Sequence, residues 1–171
     1  MSTFFRRAIE PWVHEDLREK MVFVGGPRQV GKTTFTRQLG GTYLNWDESD
    51  HRRSILAKDW PAVPRLVILD ELHKYARWRN FLKGVYDTQK DGHSFIVTGS
   101  ARLDHYRRGG DSLLGRYQYY RLHPFTVTEL GNSRDSVESL LRFGGFPEPL
   151  LKQSERTLRR WQLQRLERVI R

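Results

Sequence analysis

The sequence contains no cysteine. Disulfide cross-links, thiol nucleophiles and thiolate metal sites are therefore excluded. The six histidines, at positions 14, 51, 73, 93, 105 and 123, never fall in an H-x₃-H spacing, which argues against a zinc site. No run approaches 18 apolar residues, and the N-terminus, Met1 to Arg7, lacks a signal peptide's order of charge then apolar stretch. A soluble cytoplasmic protein with no membrane partner is the expectation. Repeats and low-complexity segments are also missing. Apolar residues are scarce at 37%, while charged residues reach 29%. That balance suits a small α/β core with a heavily solvated surface, or with surfaces meant for partners. At 171 residues the chain is one domain's worth, enough to bury a core without staples.

Net charge is +10, which raises nucleic acid or an anionic membrane as a partner. The distribution tempers this idea. From Leu151 to Arg171, seven basic residues (Lys152, Arg156, Arg159, Arg160, Arg165, Arg168 and Arg171) face only Glu155 and Glu167, so half of the excess lies there. No recognised DNA-reading motif accompanies them. Nucleic acid stays a possible partner and is not favoured.

What is present is concentrated in one stretch. Gly26, Pro27, Arg28, Gln29, Val30, Gly31, Lys32 and Thr33, followed by Thr34, fit G-x-x-x-x-G-K-[ST]. The apolar run from Met21 to Val24 reads as a buried parallel strand, and the glycines let the backbone turn sharply around an anion. Successive N–H groups, ending at a helix N-terminus, then point at a β-phosphate. Lys32 supplies a point charge for the β/γ oxygens, and the Thr33 hydroxyl suits a place on Mg²⁺.

A second signal follows 38 residues after Lys32. Leu66 to Leu69 is a clear strand, and it ends in Asp70 and Glu71. A carboxylate at that position can hold Mg²⁺ through water, and the next one can orient and polarise an attacking water. The strand Ser94–Thr98 ends in small hydroxyl residues, so Thr98 and Ser100 are both candidates to contact water or γ-phosphate. Arg116 precedes a further strand, Tyr117 to Leu122. It could offset transition-state charge, in cis or from a neighbouring subunit.

The remaining pattern places a lead-in helix on Phe4, Phe5, Ile9, Trp12, Val13 and Leu17, broken near Pro11. A helix follows from Lys32 to about Leu39, stopped by Gly40 and Gly41. Tyr43 to Trp46 reads as a short strand. Ser49 to Lys58 reads as a helix capped by Ser49 or Asp50, and Tyr75 to Tyr86 as another. Glu155 to Arg171 has an apolar stripe of Leu158, Trp161, Leu166 and Val169 or Ile170. Such a helix needs something to pack on, either this domain or a further one. The expected division is residues 1–150 as the main domain and 151–171 as a basic amphipathic helix opening a linker.

Taken together, Gly26 to Thr34, Leu69 to Lys74, Val97 to Ala101 and Ser112 to Arg116 occur in a fixed order. With His123 to Phe125, Glu129-Leu130 and Phe143 to Glu148, they resemble the prokaryotic AAA-type ATPases that carry a C-terminal domain of unknown function. The resemblance covers about Phe4 to Leu151. It implies an α/β P-loop fold of the additional-strand, AAA-like type: a three-layer, mainly parallel sheet flanked by helices. The acidic strand should be separated from the phosphate-loop strand by another strand. ATP and Mg²⁺ are the implied ligands, with Gly26 to Thr34 as the nucleotide cradle and Thr33 and Asp70 on the metal. Glu71 falls on water, Ser100 or Thr98 becomes the sensor, and Arg116 a finger completed in a homo-oligomer. Members of that family are usually more than twice this length. The implied function is an ATPase that switches a partner module; the alternative is a nucleotide-gated nucleic-acid-binding module with little turnover.

Overall fold

A computed structural model describes residues 5–99 and 113–169, with side chains through residue 166. Packing sorts the chain into two compact units, one of Ile9–Leu122 and one of the residues up to Ala8 together with those from His123 onward. The helix from Glu155 sorts with residues 123–153 in the second of these units.

The first unit is a five-stranded parallel sheet: β1 (Met21–Gly25), β2 (Thr42–Asn45), β3 (Leu66–Asp70), β4 (Ser94–Thr98) and β5 (Tyr117–Arg121). Their order across the sheet is β2-β3-β4-β1-β5. The acidic strand β3 is thus separated from β1 by β4, as expected of the additional-strand arrangement. The central strands have short, nearly continuous apolar runs because helices cover both faces of a parallel sheet. β1 is buried throughout, whereas the edge strand β5 (YQYYR) keeps all five residues partly or fully exposed. Core packing joins Phe23, Leu69, Phe95 and Val97 to Trp78, Leu82 and Val85 from a helix. The Phe23 ring stacks on Tyr117 with centroids 4.3 Å apart.

The helices of this unit are α1 (Glu10–Asp16), α2 (Lys32–Gln38), α3 (Ser49–Ala57) and α4 (Trp78–Gln89). Pro11 sits in the first turn of α1 and starts that helix. A proline there gives up only an amide that has no intrahelical acceptor. The cap of α3 is Glu48, not Ser49 or Asp50. Its carboxylate accepts from the Asp50 amide at 3.1 Å and the His51 amide at 2.6 Å. The helix expected from Tyr75 begins at Trp78, because Leu72–Lys74 first form a turn of 3₁₀ helix.

The second unit carries α5 (Arg134–Phe143), α6 (Pro147–Lys152) and α7 (Glu155–Val169). α5 is capped by Ser133, whose Oγ accepts from the Ser136 amide at 3.0 Å. α7 lays part of its apolar stripe on this unit: the Trp161 ring lies 4.8 Å from Phe146, and Arg165 rests 4.1 Å over the same Phe146 ring. Leu163 and Leu166 remain exposed.

The N-terminal segment is held by charge. Arg7 Nε donates to Glu129 Oε1 at 2.9 Å, with the two side chains 5% and 7% exposed. The Ala8 and Thr126 amides also donate to the Glu129 carboxylate, at 2.9 and 3.0 Å. Burial pushes the Glu129 pKa up, but these donors and the Arg7 charge outweigh it and hold the carboxyl below its usual 4.5. A depressed folded pKa gives stability that is present above the unfolded value and is lost as pH falls through the folded one. Glu129→Gln should therefore cost about 3 kcal/mol near neutrality, since it strips a buried arginine of its carboxylate. It should also flatten the loss of stability below pH 4.5. Urea unfolding followed by tryptophan fluorescence from pH 7 to pH 3 checks both outcomes.

Candidate nucleotide site

Parallel strands bring their carboxyl ends to one edge of the sheet, where the loops after them converge. β1 ends in Gly25, β3 in Asp70, and β4 in Thr98. Val24 is in register with Thr98, and Leu69 with Val97, so the three strand ends lie at one level.

The loop after β1 depends on its glycines. Gly26 has φ +143°, and a Cβ there would stand 2.4 Å from the Leu122 carbonyl oxygen. Gly31, at φ +97°, is the residue before the first turn of α2. Gln29 also takes positive φ, at 65°. Between them Val30 is fully buried, so its side chain anchors the loop while its backbone shapes it. Arg28 and Gln29 are exposed, and Pro27 is half-buried.

Lys32 opens α2 and is only 7% exposed. Its Nζ donates to Gly26 O at 3.0 Å and to Pro27 O at 2.9 Å, using two of its three donors. Burial lowers the Lys32 pKa below the ordinary 10.5. The nearby carboxylates of Glu71 and Asp70 oppose that shift, and Arg28 adds to it. Thr33 and Thr34 follow, and both residues are exposed.

Asp70, 3% exposed, is where the strands meet. Thr33 Oγ1 donates to Asp70 Oδ2 at 2.9 Å, and the Thr98 hydroxyl donates to Oδ1. A third hydroxyl was not foreseen. Tyr43, on β2, donates to Oδ2 as well. Burial raises the Tyr43 pKa to about 12, with the Asp70 hydrogen bond adding to it, so the phenol remains a neutral donor. A buried carboxylate with three hydroxyl donors is held in one rotamer.

Glu71 has left-handed backbone, φ 58° and ψ 18°, which costs energy in a residue with a Cβ. Its Oε2 lies 3.6 Å from both His73 Nε2 and Lys74 Nζ. Lys74 is also paired with Asp47, and that hydrogen bond, ahead of Glu71, raises the Lys74 pKa.

Ser100 lies outside the described residues. Arg116 does not join the site within its own chain. Met21 pairs with Tyr117 and Gly25 with Arg121, so Arg116 lies beside the start of β1, at the opposite edge of the sheet. Five residues of strand separate the two edges, about 16 Å. There Arg116 Nε donates to Asp87 Oδ1 at 2.8 Å and Nη2 to Oδ2 at 3.3 Å. The reading of Arg116 as a finger in cis is corrected by this placement.

The site offers hydroxyl and carboxylate oxygens and one ammonium beside a chain of backbone amides. These are donors for a hard divalent cation and for phosphate. Among the described residues, no group of three or more His, Asp and Glu side chains gathers as a metal cluster. No helix among them is long and apolar enough to cross a membrane.

Comparison with known proteins agrees with this arrangement. An uncharacterized protein of Mycobacterium tuberculosis and one of Mycobacterium bovis are each 28% identical to this chain over 150 residues. The match takes in 84% of this chain but 34% of theirs, so the chain spans about a third of the length of the curated relatives it matches. Among solved structures, a signal transduction ATPase with numerous domains and a tetratricopeptide repeat sensor, from Pyrococcus horikoshii, superimposes with a TM-score of 0.55. It is 16% identical, and the match covers 88% of this chain and 29% of that one, a likeness of fold. A family model described as "AAA domain" matches residues 18–131, which include the phosphate loop, all five strands and Arg116. With that match over most of its length, the chain belongs to the AAA domain family.

Proposed function

We propose that this chain binds ATP with Mg²⁺ and hydrolyses it, and that hydrolysis switches the shape or contacts of a partner module. One observation carries the reading: the fold brings Lys32, Thr33 and Asp70 to one point, with Thr33 Oγ1 2.9 Å from Asp70 Oδ2. In this reading the backbone from Gly26 to Thr34 cradles the phosphates, and Lys32 exchanges its hold on the loop carbonyls for the β/γ oxygens. Thr33 and Asp70 hold Mg²⁺, Asp70 through water. The cation, when bound, neutralises charge that builds on the phosphate oxygens. Glu71 orients and polarises the attacking water, and Thr98 reports on the γ-phosphate side through its bond to Asp70. Preference for ATP over GTP rests on the family, since no guanine-reading N-K-x-D follows the acidic strand.

Arg116 then acts in trans, from a second copy of the chain whose far sheet edge meets this site. Turnover per chain should rise with protein concentration, and Arg116→Ala should remove that rise. An arginine finger supplies on the order of 10³-fold or more in rate. Phosphate release from Mg·ATP, measured across a hundredfold range of concentration, checks this. A constant turnover per chain, unaffected by Arg116→Ala, would sink the trans assignment.

The second reading, a nucleotide-gated nucleic-acid-binding module, rests on the exposed Arg156, Arg159 and Arg160 along α7. The same assay repeated with single-stranded and duplex DNA, at two salt concentrations, separates it from the first.

A further inference from the structure

Tyr43 has no part in the scheme above, yet its placement is specific. It comes from β2, separated from the phosphate-loop strand by β3 and β4 in the order β2-β3-β4-β1. β2 pairs with β3 so that Tyr43 is opposite Ile68 and Asn45 is opposite Asp70. The phenol therefore reaches diagonally along the strand pair to Asp70 Oδ2, the oxygen that also accepts from Thr33. Simple packing of an edge-strand tyrosine does not require that reach, because a half-buried phenol at a sheet edge can bond water instead.

Two further contacts hold the Tyr43 side chain, and a third holds one of those partners. The Arg37 guanidinium lies 3.8 Å from its centroid, and Arg37 belongs to the last turn of α2, the helix that begins with Lys32 and Thr33. Asn45 Nδ2 donates to the phenol oxygen at 3.4 Å, and Asn45 Oδ1 accepts from the Asp47 amide at 2.9 Å. Tyr43 thus touches both elements that supply metal ligands in the proposed site: α2 through Arg37, and β3 through Asp70.

The chemistry of the donors gives this a consequence. A Thr33 hydroxyl that gives a lone pair to a cation keeps its hydrogen for Asp70, but its oxygen then answers to the cation's position as well. The donors that stay independent of the cation are Tyr43 on Oδ2 and Thr98 on Oδ1. One donor on each oxygen is enough to stop the carboxylate from rotating about its own axis. With Tyr43 gone, Oδ2 loses its fixed partner at the point where orientation matters.

We propose that Tyr43 is a positioning residue of the metal site, holding the Asp70 carboxylate in the rotamer that meets Mg²⁺ when Mg·ATP binds. The proposal rests on the reading of the site as an Mg·ATP site. Outer partners of metal ligands are typically worth about ten- to a hundredfold in metal affinity or activity.

The test separates metal from nucleotide. ATP affinity is measured by calorimetry in Mg²⁺ and again in EDTA, for the wild type and for Tyr43→Phe, which keeps the ring beneath Arg37. The affinity of the ATP-bound protein for Mn²⁺ is measured by electron paramagnetic resonance. In Tyr43→Phe the affinity in EDTA should stay within about twofold, while the gain on adding Mg²⁺ and the Mn²⁺ affinity should each fall about tenfold. A purely structural role would lower affinity equally in Mg²⁺ and EDTA, and that outcome overturns the proposal. So does a variant that matches the wild type in every respect. A wild type with no Mg²⁺-dependent gain fails one step earlier: it sinks the nucleotide reading and this proposal with it.

Discussion

Glu71→Gln should leave ATP binding within about twofold of the wild type and lower the rate of phosphate release by 10² or more. The substitution keeps the size and the left-handed backbone of the residue and removes the charge that polarises water. Glu71 is not buried as Asp70 is, and its Oε2 lies 3.6 Å from His73 Nε2 and from Lys74 Nζ. Loss of its charge therefore leaves the network on Asp70, with Thr33, Thr98 and Tyr43, in place. Binding and turnover separate for that reason. Calorimetry with Mg·ATP and single-turnover phosphate release check the two halves independently. Normal hydrolysis by Glu71→Gln would show that another group orients the water.

Lys32→Ala should act on the other half. An ammonium bonded to phosphate contributes up to about 3 kcal/mol in a dry site, close to a hundredfold in affinity. Before nucleotide arrives, Lys32 bonds the carbonyls of Gly26 and Pro27, so its loss also leaves the empty loop without that support. Binding of Mg·ATP should fall at least a hundredfold, and turnover should vanish with it. The pH dependence carries a second signature. Burial holds the lysine below 10.5, so the charge that attracts phosphate is lost earlier on the alkaline side than for an exposed lysine. ATP affinity should decline as pH rises toward that lowered value, and the decline should be absent in Lys32→Ala. Titration calorimetry from pH 7 to pH 10 checks this, with circular dichroism to show that the variant keeps its fold.

The parts of the site that were legible in the sequence are those whose chemistry is local. The run from Gly26 to Thr34 is contiguous, and its glycines, lysine and threonine describe a loop and a helix start without any tertiary information. Asp70 and Thr98 were legible because each ends an apolar strand, and parallel strands end together. Tyr43 was not. Its partner lies 27 residues away on a neighbouring strand, and a tyrosine in a four-residue strand reads as ordinary β-propensity. Knowing that β2 adjoins β3 is what gives the phenol its meaning.

Arg116 fails as a cis residue for a reason that topology contains. A residue just before a parallel strand must sit at the amino edge, away from loops at the carboxyl edge. That deduction requires β5 to be parallel to β1, which an alternating YQYYR pattern does not reveal. α5 and α6 carry local signals: a Ser133 cap ahead of Val137, Leu140 and Leu141 at helical spacing, and Pro147 in a first turn. Glu48 took the capping role from Ser49 because a longer carboxylate reaches two amides at once.

The Arg7–Glu129 pair has a consequence for synthesis. By residue 121 a growing chain already contains every strand of the sheet unit. The companion unit begins earlier in the sequence but cannot close then: Arg7 and Ala8 wait for a carboxylate that emerges more than a hundred residues later. The order of completion on the ribosome is therefore inverted relative to the order of the N-terminal residues. The unit that starts second is ready to fold first, and the leading segment stays unclaimed until Glu129 appears.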